Sequence, residues 1–450
     1  MPTPRVVPPV RPREIASWAM FDFANSSYTT IIVTVAYGVF FSKLIAPAGR
    51  GDALWGTAIA LANLFVLLLS PMVGAVADDS GRKKSFLFVT YAICVVGTAL
   101  LWFVTPGHVA LGLSLFVLSF VGFSFGENLT AAFLPEISRP DNIGKVSGLG
   151  WGLGYFGGLG SLLLVRPLLK GGFVLSNLTH LRLAWLATAA FFLVAAVPTF
   201  VFLKERAPRG PGSLGSYVRA GFGRVAETAH SIRRFSELGR FLTVFFVYSC
   251  GLSSVFAFAG IYAERTLGFT SDELIVLFIL LQLSAAAGAF LFGYIQDHLG
   301  ATVTIRLTLV LWVVVCLGAW KCGQGPGIVL AGFTGKQLFW AVAMLSGAGI
   351  GSLQSASRGL VGLFAPVEKS GEFFGFWGLA GKSAYMIGPF LFGLISASTG
   401  SQRTAMLSTA AFFLLGLVGM QFVSEKRGRA AVALWHAEKA AQEAENAAQA

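Results

Sequence analysis

"GAVADDSGRKK", Gly74–Lys84, separates two long apolar runs, and a shortened echo, "GYIQDHLG", Gly293–Gly300, separates two more. Both copies read Gly-x-x-x-Asp-x-x-Gly and lie 219 residues apart. A repeat at that spacing implies two related halves, each a set of apolar segments joined by short polar loops.

The composition says what the segments are for. A soluble chain is about one quarter charged, whereas this one is 12% charged and 55% hydrophobic, with a mean hydropathy of +0.73. Apolar runs fall at 17–43, 54–78, 85–104, 109–133, 143–166 and 182–203, then at 240–263, 273–296, 302–320, 336–357, 370–397 and 402–423. Each is long enough to cross a bilayer, which takes roughly 20 residues per helix. The expected fold is an all-α membrane protein of twelve transmembrane helices in two pseudo-symmetric six-helix halves. An N-tail (1–16), a first bundle (17–203), a linker (204–239), a second bundle (240–423) and a C-tail (424–450) follow from the same pattern. The Ala- and Glu-rich tail is expected to be helical, either held at the bilayer surface by Leu434 and Trp435 or frayed in solvent.

The net charge of +12 does not gather into a nucleic-acid-binding face. If both termini and the linker are cytoplasmic, 23 Lys and Arg lie on that side, about 9 lie opposite, and Lys382 remains inside a span. This asymmetry places both termini in the cytoplasm. The first run is longer than a signal h-region and has no small-residue cleavage site, so it reads as a retained helix. Compact loops lean towards a bacterial inner membrane. Cys94, Cys250, Cys316 and Cys322 form neither a disulfide framework nor a zinc site.

Two halves of six helices are a common plan of secondary transporters, and the loop sharpens this. Gly74, Asp78, Gly81, Arg82 and Lys83 match in order the signature of the major facilitator superfamily, with Gly293 and Asp297 as the degenerate second copy. The resemblance implies a conformational latch. Gly74 lets the second helix approach a neighbour, Asp78 faces the N-terminal end of the eleventh helix near Gly371, and Arg82 and Lys83 stay at the cytoplasmic surface. The second copy lacks the Gly-Arg-Lys ending.

"WAMFDFANSSY" in the first span and "AAFLPEISRPDNIGKVSGLGWGLGYFGG" across the fourth and fifth resemble the autophagy-related vacuolar amino-acid effluxers and their bacterial relatives. That likeness implies efflux of an amino acid or related metabolite. The chain departs from this pattern in two places. It has Tyr248-Ser249-Cys250-Gly251 where the family tends to show Asn-Asp, and Thr130-Ala131 where it tends to show Tyr-Asn. Asp-Phe-x-Asn in the first span also resembles the glycoside–pentoside–hexuronide cation symporters, which would imply a sugar cargo with sodium or proton coupling. A non-transporting sensor or assembly protein on the same fold is the third alternative.

Polar residues inside the spans are the site candidates. A carboxylate at mid-membrane costs about 2.5–3.5 kcal/mol on insertion scales. Yet Asp22 stands in the first span, with Asn25, Ser26 and Thr29 behind it at i+3, i+4 and i+7. These residues either line an ion- or proton-coupling site or cap the helix edge. Glu127 and Asn128 could join Asp22 there or brace the cytoplasmic gate. Lys382 lies some eleven residues into the eleventh span, about 17 Å deep, and pairs with an acidic side chain or with an anionic cargo. Gln282, Gln354, Tyr155 and Tyr385 are further candidates for the cavity wall. No catalytic set, metal cluster or cofactor loop is evident. The expected partners are therefore a small solute, H+ or Na+, and membrane lipid, with a monomer as the working unit.

Two motifs mislead. "GLGYFG", Gly152–Gly157, matches a dinucleotide fingerprint but sits in an apolar span, where Gly150, Gly154 and Gly158 at every fourth position make a packing face. "GAGIG", Gly347–Gly351, is the same case. Of the two "NLT" matches, Asn128 is within a span and Asn177 in an expected external loop.

Overall fold

A computed structural model describes residues 10–206, 235–324, 328–330 and 332–449. Every expected span is a helix. They are α1 (Pro12–Ile45), α2 (Gly51–Ser80), α3 (Lys83–Leu100), α4 (Val109–Ala131), α5 (Ile143–Leu169) and α6 (Leu178–Ala195). The second set comprises α7 (Ser236–Leu267), α8 (Ser271–Leu299), α9 (Ala301–Cys322), α10 (Gly335–Phe364), α11 (Ser370–Thr399) and α12 (Gln402–Gly419). The tail forms α13 (Glu425–Gln449). The expected linker lies outside the described residues from 207 to 234, and its last residues already belong to α7.

Local chemistry sets the helix ends. Thr270 and Thr334 each accept the backbone N–H three residues on, while Glu273 and Gln337 reach back to the cap N–H, so each pair satisfies two orphan donors. Gly81 and Gly268 close α2 and α7 in the left-handed region, at φ 58° and 67°, where glycine meets no Cβ penalty. A short antiparallel pair, β1 (Ile328–Leu330) with β2 (Phe333–Thr334), precedes α10. α1 departs from α geometry: Thr29–Val35 and Phe41–Ile45 are π-helical. Such segments leave backbone groups off the regular ladder and are frequent at functional sites.

The chain forms two compact units, and neither is one continuous stretch. Among the described residues, the first gathers those up to Arg139, Gly157 to Arg206, and Val367–Gly375. The second gathers Pro140–Phe156, Phe235 to Pro366, and Phe376 onward. Half of α5 thus counts with the second unit, and the opening turns of α11 count with the first.

Within the first unit, aromatic rings knit α1 to its neighbours. Phe21 meets Phe192 and Phe200 edge-on at 5.8 and 6.3 Å, and Tyr28 stacks on Phe123 at 5.2 Å. Within the second, α8 and α10 touch through small residues. A Cβ on Gly347 would come 2.6 Å from the Leu281 carbonyl oxygen, and one on Gly351 would collide with that of Ala285. "GAGIG" is a packing stripe. "GLGYFG" is helical throughout, with Gly152 against the Phe290 ring and Gly157 against the Phe23 backbone. Both glycine motifs therefore serve close helix approach.

The tail is docked along its first turns. Glu425 accepts from Ala301 N at 2.8 Å at the start of α9. Glu237 of α7 takes Ser424 N and Arg427 Nε, both at 2.7 Å, and Trp435 lies 5.9 Å from Phe235. Leu434 is exposed.

Candidate transport site

The two loop copies do the same thing at two places. In the first unit, the Asp78 carboxylate accepts from Gly371 N at 3.0 Å and Glu372 N at 2.9 Å, at the N-terminal turn of α11. The backbone can come this close because both helices carry glycine at the crossing. A Cβ on Gly74 would overlap the Gly371 carbonyl, and one on Gly371 would sit 2.7 Å from that of Gly74. In the second unit, Asp297 accepts from Gly144 N at 2.7 Å and Lys145 N at 3.0 Å, at the N-terminal turn of α5. Gly293 and Gly144 meet as Gly74 and Gly371 do, at 2.6 and 2.5 Å for the added Cβ. A carboxylate on a helix N-terminus is stabilised both by the open N–H groups and by the helix dipole.

Lys83 corrects an expectation. It is not at the surface but buried, with Nζ 3.1 Å from Asp78 Oδ1 and 2.8 Å from Glu136 Oε1. It also donates to Ser370 Oγ at 2.6 Å and to Val367 O at 3.2 Å. The left-handed Gly81 turns the chain so that the first residue of α3 points inward, and two carboxylates offset the desolvation of the ammonium. Arg82, one residue earlier, is exposed as expected. In the second copy the matching position is Thr302, so the Asp297 cap works without a buried cation.

Of the α1 row, Asp22 and Ser26 are half-buried and Asn25 is buried. Ser26 Oγ donates to the Asp22 carbonyl at 2.8 Å. Asn25 Oδ1 is buried without a hydrogen-bond partner among the described residues. On α4 of the same unit, Glu127 is half-buried and Asn128 Nδ2 donates to Ser70 Oγ of α2 at 2.6 Å. Asn128 thus braces α4 on α2. Trp18 Nε1 donates to the Thr130 carbonyl at 2.7 Å, tying α1 to α4.

The second unit assembles another group. Tyr155 Oη of α5 donates to Gln354 Oε1 of α10 at 2.5 Å. Four residues from Gln354, Arg358 is buried; it donates from Nε to Ser147 Oγ at 3.1 Å and from its terminal nitrogen to Ser147 O at 2.7 Å. Its guanidinium stands over the Trp151 ring at 5.2 Å, a favourable cation–π placement. Ser147, Trp151 and Tyr155 recur every fourth residue, which puts them on one face of α5. Tyr385 of α11 is exposed, and its ring stacks on Phe256 of α7 with centroids 6.2 Å apart. Lys382, one turn before it, and Gln282 of α8 are half-buried.

Sequence reasoning did not single out Arg358. The tenth apolar run ends at 357, which puts the arginine in a loop, whereas α10 continues to Phe364. The available signal was the i, i+4 pair Gln354–Arg358 at the edge of an apolar run. Asn177 is also better defined than its motif suggested: it is buried, and its Nδ2 donates to Leu168 O and Gly172 O. All four cysteines are free and buried.

Repeated six-helix sets with paired carboxylate caps define a major facilitator transporter, an integral multi-pass membrane protein. Comparison with known proteins agrees. The family model described as "Vacuole effluxer Atg22 like" matches residues 53–433, and the chain belongs to that family. It is similar to the MFS-type transporter YxiO of Bacillus subtilis, at 27% identity over 91% of this chain and 94% of that one. It is also similar to autophagy-related protein 22 of Kluyveromyces lactis, at 25% identity over 92% and 81%. Among solved structures, the proton:xylose symporter XylE superposes with a TM-score of 0.72 at 15% identity, covering 94% of this chain and 98% of that one. The human organic anion transporter MFSD10 gives 0.69, also at 15% identity, covering 91% and 99%. At that identity both report the fold alone.

Proposed function

We propose that this transporter exports a small metabolite of the amino-acid type across a bacterial inner membrane, both termini cytoplasmic, by alternating access. The six-helix sets 17–203 and 240–423 are the moving parts. The observation that supports this most is the duplicated cap, Asp78 on α11 and Asp297 on α5. Each is a handful of charge-assisted hydrogen bonds at a glycine-lined crossing. Contacts of that kind favour one arrangement of helices yet can be released without unfolding either helix. Gly74, Gly81, Arg82, Lys83 and Gly293 complete this latch.

Coupling is assigned to α1. A carboxylate within an apolar helix, backed by the buried Asn25, can take up and release a proton or hold a hard cation such as Na+. Glu127 and Asn128 on α4 belong to the same unit. Proteoliposomes with an imposed proton or sodium gradient test this reading. Asp22→Asn should abolish uphill accumulation while sparing downhill exchange. Accumulation unchanged by Asp22→Asn would remove Asp22 from coupling.

A further inference from the structure

Where α7 begins and α12 ends, the second unit holds a recess of about 750 Å³, away from the groups assigned to transport. Glu237 and Arg240 of α7, Gln421 and Phe422 just past α12, and Arg427 of α13 line it. Its charges are arranged around one carboxylate. Glu237 is buried, and its Oε1 accepts from Arg240 Nη1 and from Arg427 Nε, the latter at 2.7 Å. Its Oε2 accepts from Ser424 N at 2.7 Å. Two guanidiniums on one carboxylate leave a net positive charge. Each also carries more N–H groups than these bonds use, and the two side chains stay 51% and 60% exposed.

The cations are held in place before any ligand arrives. Arg427 Nη2 donates to Phe422 O at 3.0 Å, and Gly428 lies so close to the Phe364 ring that a Cβ would overlap it. Guanidinium forks fixed in this way match the oxygens of a phosphate. The other wall is apolar. Leu414, Leu415 and Val418 are exposed along α12, and the exposed Phe422 continues that face into the recess. On a membrane-spanning helix such a face meets acyl chains. The segment beyond it, Ser424–Arg429, holds three cations and one carboxylate, and basic clusters just past a transmembrane helix attract anionic lipid. A soluble anion would use the guanidiniums and leave the apolar wall idle. A zwitterionic lipid would bring its own ammonium against them.

We propose that this recess binds the phosphate diester of an anionic phospholipid, with Arg240 and Arg427 on the phosphate oxygens and Phe422 against the start of an acyl chain. Glu237 positions both guanidiniums and, as a competing anion, limits how tightly the lipid is held.

The test uses the purified full chain in detergent, read by the shift of melting temperature on titration and by lipid retained in native mass spectra. The probes are dioleoyl phosphatidylglycerol, dioleoyl phosphatidylcholine, glycerophosphoglycerol and inorganic phosphate. Phosphatidylglycerol should act at a concentration at least about fivefold below that of phosphatidylcholine, and Arg240→Gln and Arg427→Gln should each weaken it about fivefold. Arg82→Gln, which removes an exposed cation of the first unit, should not. Glu237→Gln keeps an acceptor for Ser424 N but removes the competing charge, so it should tighten phosphatidylglycerol, a change that a merely structural role would not give. The triple variant Glu237→Gln, Arg240→Gln, Arg427→Gln strands no buried charge, and should fold yet treat the two lipids alike. Equal affinity of the wild type for both lipids, or a loss in Arg82→Gln as large as in Arg240→Gln and Arg427→Gln, overturns the site, because either would mean diffuse attraction. A shift with inorganic phosphate or glycerophosphoglycerol equal to that of the lipid at the same concentration would keep the phosphate and overturn its lipid source.

Discussion

Asp78 and Asp297, 219 residues apart, each hold the first turn of a distant helix through two backbone N–H groups. Asp78 takes Gly371 and Glu372, and Asp297 takes Gly144 and Lys145. The partner glycines, 371 and 144, are 227 residues apart, so the whole contact is duplicated and not just the carboxylate. The copies differ in one respect: only Asp78 has a buried ammonium beside it.

That difference predicts unequal losses. Removing a carboxylate cap costs about 0.5–2 kcal/mol, and this should be the whole effect of Asp297→Ala. Asp78→Ala should cost more, because it also leaves Lys83 with one carboxylate fewer in a buried setting. Melting temperatures of the two variants should fall in that order, with Asp78→Ala lower.

Breaking the Lys83 cluster from the cation side should be harsher. Lys83→Ala leaves Asp78 and Glu136 buried without their shared ammonium, a change of about 3–5 kcal/mol. The triple variant Lys83→Met, Asp78→Asn, Glu136→Gln removes every charge and should recover most of the lost stability. If denaturant unfolding places the triple variant below Lys83→Ala, the network is worth more than its charges.

The glycine crossings permit a steric test with an internal control. Gly74→Ala and Gly293→Ala each press a methyl group onto a backbone carbonyl across the crossing. Neither backbone can yield without separating two helices, so both should slow counterflow severely. Gly56→Ala, on the same helix as Gly74 but facing open space, should be neutral or slightly stabilising.

Arg358 should not tolerate lysine. Its two hydrogen bonds to Ser147 and its stacking on Trp151 use the planar fork of the guanidinium, and an ammonium cannot reproduce both. Arg358→Lys should lower the melting temperature almost as far as Arg358→Met. Equal stability of wild type and Arg358→Lys would show that only the charge matters.

The twelve helices were legible because each is an apolar run of bilayer length, and that signal needs no tertiary information. The Asp78–Gly371 contact was legible through the loop motif and the resemblance it carries. Lys83 was not. Beside Arg82 and Lys84 it reads as one of three solvated cations, and only the direction of the turn at Gly81 separates the buried one from its neighbours. Arg358 was lost to helix-end uncertainty of a few residues, since a cation at the edge of an apolar run looks like a loop residue obeying the charge rule. The π-helical turns of α1 left no trace in the residue pattern, as Thr29–Val35 is an ordinary β-branched membrane stretch.

The make-up of the two compact units bears on how the chain can be divided. The first unit contains Val367–Gly375 and the second contains Pro140–Phe156, so each depends on a peptide supplied from the far side of the 207–234 segment. A chain cut in that segment would yield two fragments, each short of a piece of its own unit. Expressed singly, residues 1–206 and 235–450 should be cleared by membrane proteases. Expressed together they should reassemble into a complex that survives purification, a pair of halves that mature only in each other's company.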